Sequence, residues 1–325
     1  MVIMFLNPGR YSLSFNRLIT ALFIVSCLYY GNTDAQCLSS VNPVGGSANL
    51  LVLEKNSLRV IGFYRFNYGD RYIEGSSRSD FDLIRNANYN YAGTILGYGV
   101  ANKVTLETEL GYFINKTQNY NTDPPYSLIG SGFSTGVISV KYSLFKDDEK
   151  RFFVSSGLGA KIPFSTKPLY RDGVELPVEV QPTLGAFGMV VQGFIVKEQP
   201  ITGTRYFLTG RMEVNSRNRQ EYKLGTSVFT SFFISKHLMF PWLKGDWTAI
   251  LQLRNETRGV DRTMSGVKES SGSTIFYLIP QVNHSIKERW NVSLMADLPV
   301  YQHFNGIQLA TRYGITLNFT REFRL

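Results

Sequence analysis

The chain has 325 residues and a formal charge of +9, with 43% hydrophobic and 14% aromatic residues and only two cysteines. So few thiols exclude a disulfide framework or a cysteine metal cluster. The positive charge of an exported chain points to anionic lipid head groups or acidic solutes rather than nucleic acid. Export is read from the first residues. Arg10 and Arg17 precede an apolar run from Leu18 to Tyr30, and Thr33-Asp34-Ala35 offers small residues at a cleavage point. This is the plan of a secretory signal peptide over residues 1–35, and the run is shorter than the ~20 residues a spanning helix needs. A rival lipoprotein-type site, Ile24-Val25-Ser26-Cys27, would instead leave Cys27 lipidated.

Residues 36–55 hold Cys37, Pro43, Gly45, Gly46 and Ser47 and read as an irregular leader, periplasmic or lumenal. From residue 56 to 325 the hydrophobic pattern has a period of two, the mark of strands with one apolar and one polar face. Ser57–Tyr68 sets Leu58, Val60, Tyr64, Phe66 and Tyr68 against Arg59, Arg65 and Asn67. A hairpin follows, Asn86 to Gly99 and then the run to Ile114, joined at 100–102. In its second arm Val104, Leu106, Leu110, Tyr112 and Ile114 oppose Lys103, Thr105, Glu107 and Glu109. Gly132–Phe145 and Arg151–Phe164 flank the short charged turn 146–150. The remaining predicted strands are Val180–Val196, Thr204–Val214, Glu221–Ser235, Asp246–Thr257, Thr274–Ile286, Trp290–Tyr301 and Ile307–Phe323. Val180–Val196 is apolar and glycine-rich with ambiguous facing, and Pro280 weakens Thr274–Ile286.

The pattern predicts an all-β fold, an up-and-down antiparallel transmembrane barrel of about twelve strands, each long enough to cross a bilayer. Connections near 70–85, 115–131, 165–179 and 258–273 are long, whereas those near 100–102, 146–150 and 287–289 are short. That alternation is the habit of barrels in the cell outer membrane, with long loops outside and both chain ends in the periplasm. Apolar faces on nearly every strand are expected to meet lipid, with polar faces inside. Tyr68, Tyr112, Phe145, Phe164, Trp247, Trp290 and Phe323 near strand ends suit interface girdles. An exported soluble β-sandwich is the competing reading, and the long strands and regular loop asymmetry weigh against it.

At Gly97-Tyr98-Gly99-Val100-Ala101-Asn102-Lys103-Val104-Thr105-Leu106 the chain resembles the outer-membrane transporter family named for the phenol-degradation meta pathway, in its Bacteroidetes-like style. Leu53 to Val60 is similar to that family's entry to the first strand, and Cys37 with Gly45-Gly46 to its leader. The resemblance implies a barrel that passes small, hydrophobic or aromatic solutes, without catalytic residues to carry over. The terminal Arg324-Leu325 departs from a final aromatic and leaves Phe323 as the signal that the barrel-assembly machinery would read.

Candidate lumen-lining residues are Glu107, Glu109, Lys141, Arg205, Arg211, Glu213, Arg254 and Arg312. Opposed charges on an inner wall either fill a lumen by ion pairing or line a path through it. A basic stripe of Arg205, Arg211 and Arg254 facing Glu107 and Glu109 is one expected arrangement. The alternatives to a transporter are a plugged barrel with a structural or adhesive role, and a lipid hydrolase at the outer rim. The histidines number three. His237 is expected in a periplasmic turn, His284 near a strand end, and His303 in an outer loop without a serine partner. No zinc spacing, phosphate-binding loop or cofactor motif is present, so no enzyme activity, metal or cofactor is expected.

Overall fold

The structure, a computed structural model, describes residues 52–238, 240, 245–286 and 290–325. These fall in one compact unit, Asp34–Leu325. The predicted signal peptide, Cys27, Cys37 and the leader through Leu51 lie outside the described residues.

Twelve long strands make the wall. They are β1 (Ser57–Gly69), β2 (Ile84–Ala101), β3 (Val104–Tyr120), β4 (Gly136–Asp147), β5 (Phe152–Ile162) and β6 (Gly188–Gln199). The ring continues with β7 (Thr204–Asn215), β8 (Ser227–Leu238), β9 (Asp246–Arg258), β10 (Ser273–Ile286), β11 (Trp290–Ala310) and β12 (Tyr313–Arg324). Each pairs antiparallel with its sequence neighbours, and β1 closes the ring on β12 from Ser57↔Arg324 to Tyr68↔Tyr313. Closure leaves no sheet edge whose backbone groups would face lipid unpaired. The shortest strand has 11 residues and the longest 21, enough for a tilted strand to cross a bilayer, which takes ~9–11.

The predicted alternation is present. Leu106, Ile138, Val140, Leu158, Val191, Leu208, Phe232 and Leu294 stand exposed on the outside, while Thr105, Glu107, Ser139, Lys141, Gln192 and Arg211 are buried inside. The expected girdle is present as ring clusters. Phe133 packs on Tyr112 and Phe164 with centroids 5.1 and 5.0 Å apart. At the opposite end the Arg321 guanidinium lies 4.7 Å from the Trp290 ring and 4.4 Å from Phe323.

Four boundaries differ from the sequence expectation. The run beginning at Val180 enters the sheet only at Gly188, and the one beginning at Glu221 only at Ser227. The Gly132–Phe145 run is broken at Ser134-Thr135 into β4 and a short outer strand, Ser127–Phe133, that pairs with β3 alone. The predicted last strand from Ile307 is cut at Thr311-Arg312, because β11 runs on to Ala310 and is extended by pairing with a short strand, Arg71–Gly75. Pro280 is accommodated inside a fully formed β10, at a place where no β10–β11 partners are recorded for Ile279 and Pro280.

The inner wall is less uniformly polar than expected. Three apolar clusters lie inside: Ile61, Phe63, Tyr89, Tyr91, Ile95 and Phe113 in one, Phe194, Val196, Phe207, Phe233 and Ile250 in another, and Ile73, Ile275, Tyr277, Ile279, Met295 and Phe304 in the third. A ring of twelve strands encloses more volume than short polar side chains can fill, so large rings and branched chains take it up.

Candidate functional site

Two mouths bound the lumen. The chain ends and short turns share one mouth, the periplasmic one by the habit of such barrels. There the end of the leader turns inward. Asn56 takes a left-handed conformation (φ 62°), which asparagine tolerates better than most residues, and the chain reverses into β1. Leu53 is buried, with its amide donating to Thr105 Oγ1 at 2.8 Å on the inner face of β3. A Cβ at Gly99 would sit 1.9 Å from the Glu54 carbonyl oxygen, so this entry needs glycine there. The last leader residues therefore cover part of the periplasmic mouth.

The long connections share the other mouth, and the segment 163–187 between β5 and β6 dominates it. Its second half, from Leu176 to Ala186, is mostly buried without strand alternation. Val180 lies so close to the outer strand that a Cβ at Gly130 would stand 2.1 Å from its carbonyl oxygen. Lys116 Nζ donates to the Gln181 carbonyl at 2.8 Å, and Asn218 Nδ2 to that of Leu184 at 2.8 Å. The Gln181 side chain ties the segment to itself through Leu169 and Leu176. Glu179 pairs with Lys268 at 3.2 Å.

A second loop cluster braces this segment. Asp261, 2% exposed, accepts from Tyr222 Oη, from Arg258 Nη2 (2.6 Å to Oδ1) and from the Gly225 amide (2.8 Å), while its own amide donates to Ser271 Oγ. Burial, with the Asp261 carboxylate beside it, pushes the Tyr222 phenol well above the ordinary tyrosine range.

Beneath the covering segment lies a cavity of about 110 Å3. Phe63, Tyr91 and Phe113 form one wall, and Glu109, Lys161, Arg211 and Glu213 another; Gln181 to Leu184 roof it. At roughly 30 Å3 per water this is room for a few waters or a small solute, against walls half ring and half ion pair.

The predicted site residues divide into four groups. Arg211 bonds Glu109 at 2.6 Å and Glu213 at 2.8 Å, and Glu213 also holds Lys161, so four of these side chains act as one cluster at the cavity. Lys141 and Glu107, both about 1% exposed, pair at 2.8 Å, with Lys141 Nζ 4.7 Å from the Phe194 ring. Arg254 bonds Glu256 at 2.7 Å and Asp297 at 3.4 Å, and Asp297 also pairs with Arg65. The remaining two stand at the mouths. Arg205 is exposed and pairs with Glu198 at 3.1 Å, and Arg312 sits in the Thr311-Arg312 link, bonded to Asp70 at 2.9 Å. The expected stripe of Arg205, Arg211 and Arg254 opposite Glu107 and Glu109 is thus not formed. Only Arg211 meets Glu109, and the other members find partners on nearer strands. Glu256 was missed, although it lies two residues after Arg254 and so on the same face of β9.

The histidines are peripheral. His237 Nδ1 lies 3.0 Å from Asp246 at the end of β8, and His284 stacks on Trp247 at 4.2 Å. His303 is in β11 rather than a loop, and it does have a serine partner: its Nδ1 lies 3.1 Å from Ser76 Oγ, at an exposed place. Among the described residues no group of three or more His, Cys, Asp or Glu could hold a metal ion.

No protein-family model matches this chain, and no curated protein does. Solved structures do. The COG4313 outer membrane channel from Pseudomonas putida F1 aligns with a TM-score of 0.67 at 12% identity, over 87% of this chain and 100% of that one. This is an outer-membrane β-barrel. The β domain of the Bordetella autotransporter BrkA aligns at a TM-score of 0.45 and 10% identity, over 81% of this chain and 100% of that one. At that level it shares the general barrel form and nothing more. The lipid-facing wall, the ring closure and the P. putida barrel agree on architecture, and the listed neighbours include channels rather than established enzymes of this shape.

Proposed function

We propose that the protein is a passive outer-membrane channel for small solutes, of the phenol-degradation meta-pathway type that its 97–106 segment resembles. The observation that carries this reading is the cavity inside the ring, where rings and ion pairs meet under a loop that is pinned by side-chain bonds rather than built into the sheet. A solid filler has no need of a chamber, whereas a path that is closed at rest does. Apolar rings on one wall suit small aromatic solutes, and the other wall supplies hydrogen bonds. Outer-membrane lipids would surround the wall, and the assembly machinery would engage β12 through Phe323.

A plugged structural barrel is the second reading, favoured by the cover at both mouths. An enzymatic role is not proposed. The Ser76–His303 pair has no carboxylate hydrogen-bonded to the imidazole among the described residues, so nothing orients the ring as a base.

Ion selectivity in planar bilayers tests the channel reading. Lys161 and Arg211 balance Glu109 and Glu213 at the cavity. Glu109→Gln removes one negative charge from a narrow, low-dielectric place, so a measurable shift of reversal potential toward anion preference is expected. A wild-type protein that conducts nothing and takes up no solute would favour the plugged barrel.

A further inference from the structure

The ions of the lumen are matched with one another, but a second set of inner side chains is not. Asn318 on β12 is 1% exposed, and neither its amide oxygen nor its amide nitrogen has a partner. Gln302 on β11, 6% exposed, is in the same condition. Gln281 on β10 lacks a partner for Oε1, Gln192 on β6 for Nε2, and Ser139 on β4 for its hydroxyl, and each is at least nine-tenths buried. All are uncharged, and all point inward by strand alternation. They are also grouped. Asn318 and Gln281 belong to neighbouring strands on one side of the ring, where Thr316 and Ser293 stand beside them. Ser139 and Gln192 flank β5 on the opposite side, where the inner face carries only Ser155, Gly157 and Gly159. Buried amides and hydroxyls are rarely left without partners, so groups of this kind mark places where something that hydrogen-bonds belongs.

We infer that these side chains are stations for neutral, hydrogen-bonding solutes, small alcohols, amides and hydroxylated rings, along the route that continues from the cavity. The chemistry selects that class. An amide or a hydroxyl both donates and accepts without offering charge, so it can replace the water shell of an uncharged polar solute. An ion entering the same space meets cations and carboxylates already satisfied by each other: Lys141 with Glu107, Arg254 with Glu256, and Arg65 with Asp297. It would leave its hydration without compensation. An apolar solute lacking donors and acceptors would leave the stations unpartnered, so a ring with a hydroxyl is expected to pass better than the bare ring.

The inference rests on the channel reading, and one experiment separates their failures. Full-length mature protein is placed in liposomes, and swelling is followed in glycerol and in acetamide, beside wild-type reversal potentials in potassium chloride. Two near-isosteric variants, Asn318→Leu and Gln281→Met, are compared after heat-modifiable migration shows that each barrel is folded. The expected result is swelling above that of empty liposomes, no strong preference between potassium and chloride, and a severalfold slower glycerol response in both variants. Swelling by wild type that is unchanged in both folded variants would overturn the stations and leave the channel standing. No swelling by wild type in either solute, with no conductance, would overturn both.

Discussion

Glu107→Gln is expected to lower the stability of the folded barrel by about 3–5 kcal/mol, the usual consequence of removing one partner from a buried ion pair. Lys141 is fully buried, and its 2.8 Å bond to Glu107 sits in a wall that has no access to bulk water. With glutamine opposite, the ammonium keeps its charge and loses the carboxylate, while Phe194 offers only a ring face. The double variant Glu107→Gln, Lys141→Met should recover most of the loss, since an apolar chain of similar length costs nothing to bury beside Phe194. Unfolding midpoints in urea, read by the shift between folded and unfolded forms on gels, measure both. A single variant as stable as wild type would mean that the pair is hydrated and the wall open at this height.

The second large effect belongs to Asp261. Asp261→Ala removes the acceptor shared by Tyr222, Arg258 and the Gly225 amide, and strands a buried guanidinium. About 3 kcal/mol of local stability should go, which is a ~100-fold faster opening at equilibrium. Because the network joins only residues 222–225 to 258–271, the barrel itself should remain folded. Hydrogen exchange is expected to speed up in 216–226 and 259–272, and then in 176–186, which leans on the same loops through Lys268 and Asn218. Exchange confined to 259–272 would show that the cover of the cavity does not depend on this brace.

Much of the architecture was legible because one rule, the period of two, applies wherever a strand has lipid on one side. The β2–β3 hairpin was expected with its second arm starting at Val104, and that is where β3 begins. The rule failed where a segment is buried on all sides. Residues 180–186 are as apolar as a strand, and they lie packed in the mouth rather than in the wall. Pro177 and Pro182 were the visible warning, since proline withholds a backbone donor from a ladder. The expected Glu221–Ser235 strand failed similarly, as Tyr222 and Gly225 serve Asp261.

The candidate site was legible in kind but not in pairing. Glu107, Glu109, Lys141, Arg211, Glu213 and Arg254 were placed inside by alternation and are inside. Which cation meets which carboxylate depends on shear and on contacts between positions as far apart as Glu109 with Arg211, 102 residues, or Arg65 with Asp297, 232 residues. No local pattern encodes that. Arg205 and Arg312 share the right parity but sit where their strands leave the lumen, and parity carries no information about depth.

The facing of the wall is tested most directly by single nitroxide labels at successive positions from Val137 to Tyr142 on β4, in the reconstituted full-length protein. Collisions with oxygen, which concentrates in acyl chains, and with a water-soluble nickel chelate are read at each. High oxygen collision is expected at 138, 140 and 142, and low collision at 137, 139 and 141. Labels that show no alternation, or alternate in the opposite sense, would contradict a wall whose apolar side meets lipid and whose ion pairs and amides enclose the route.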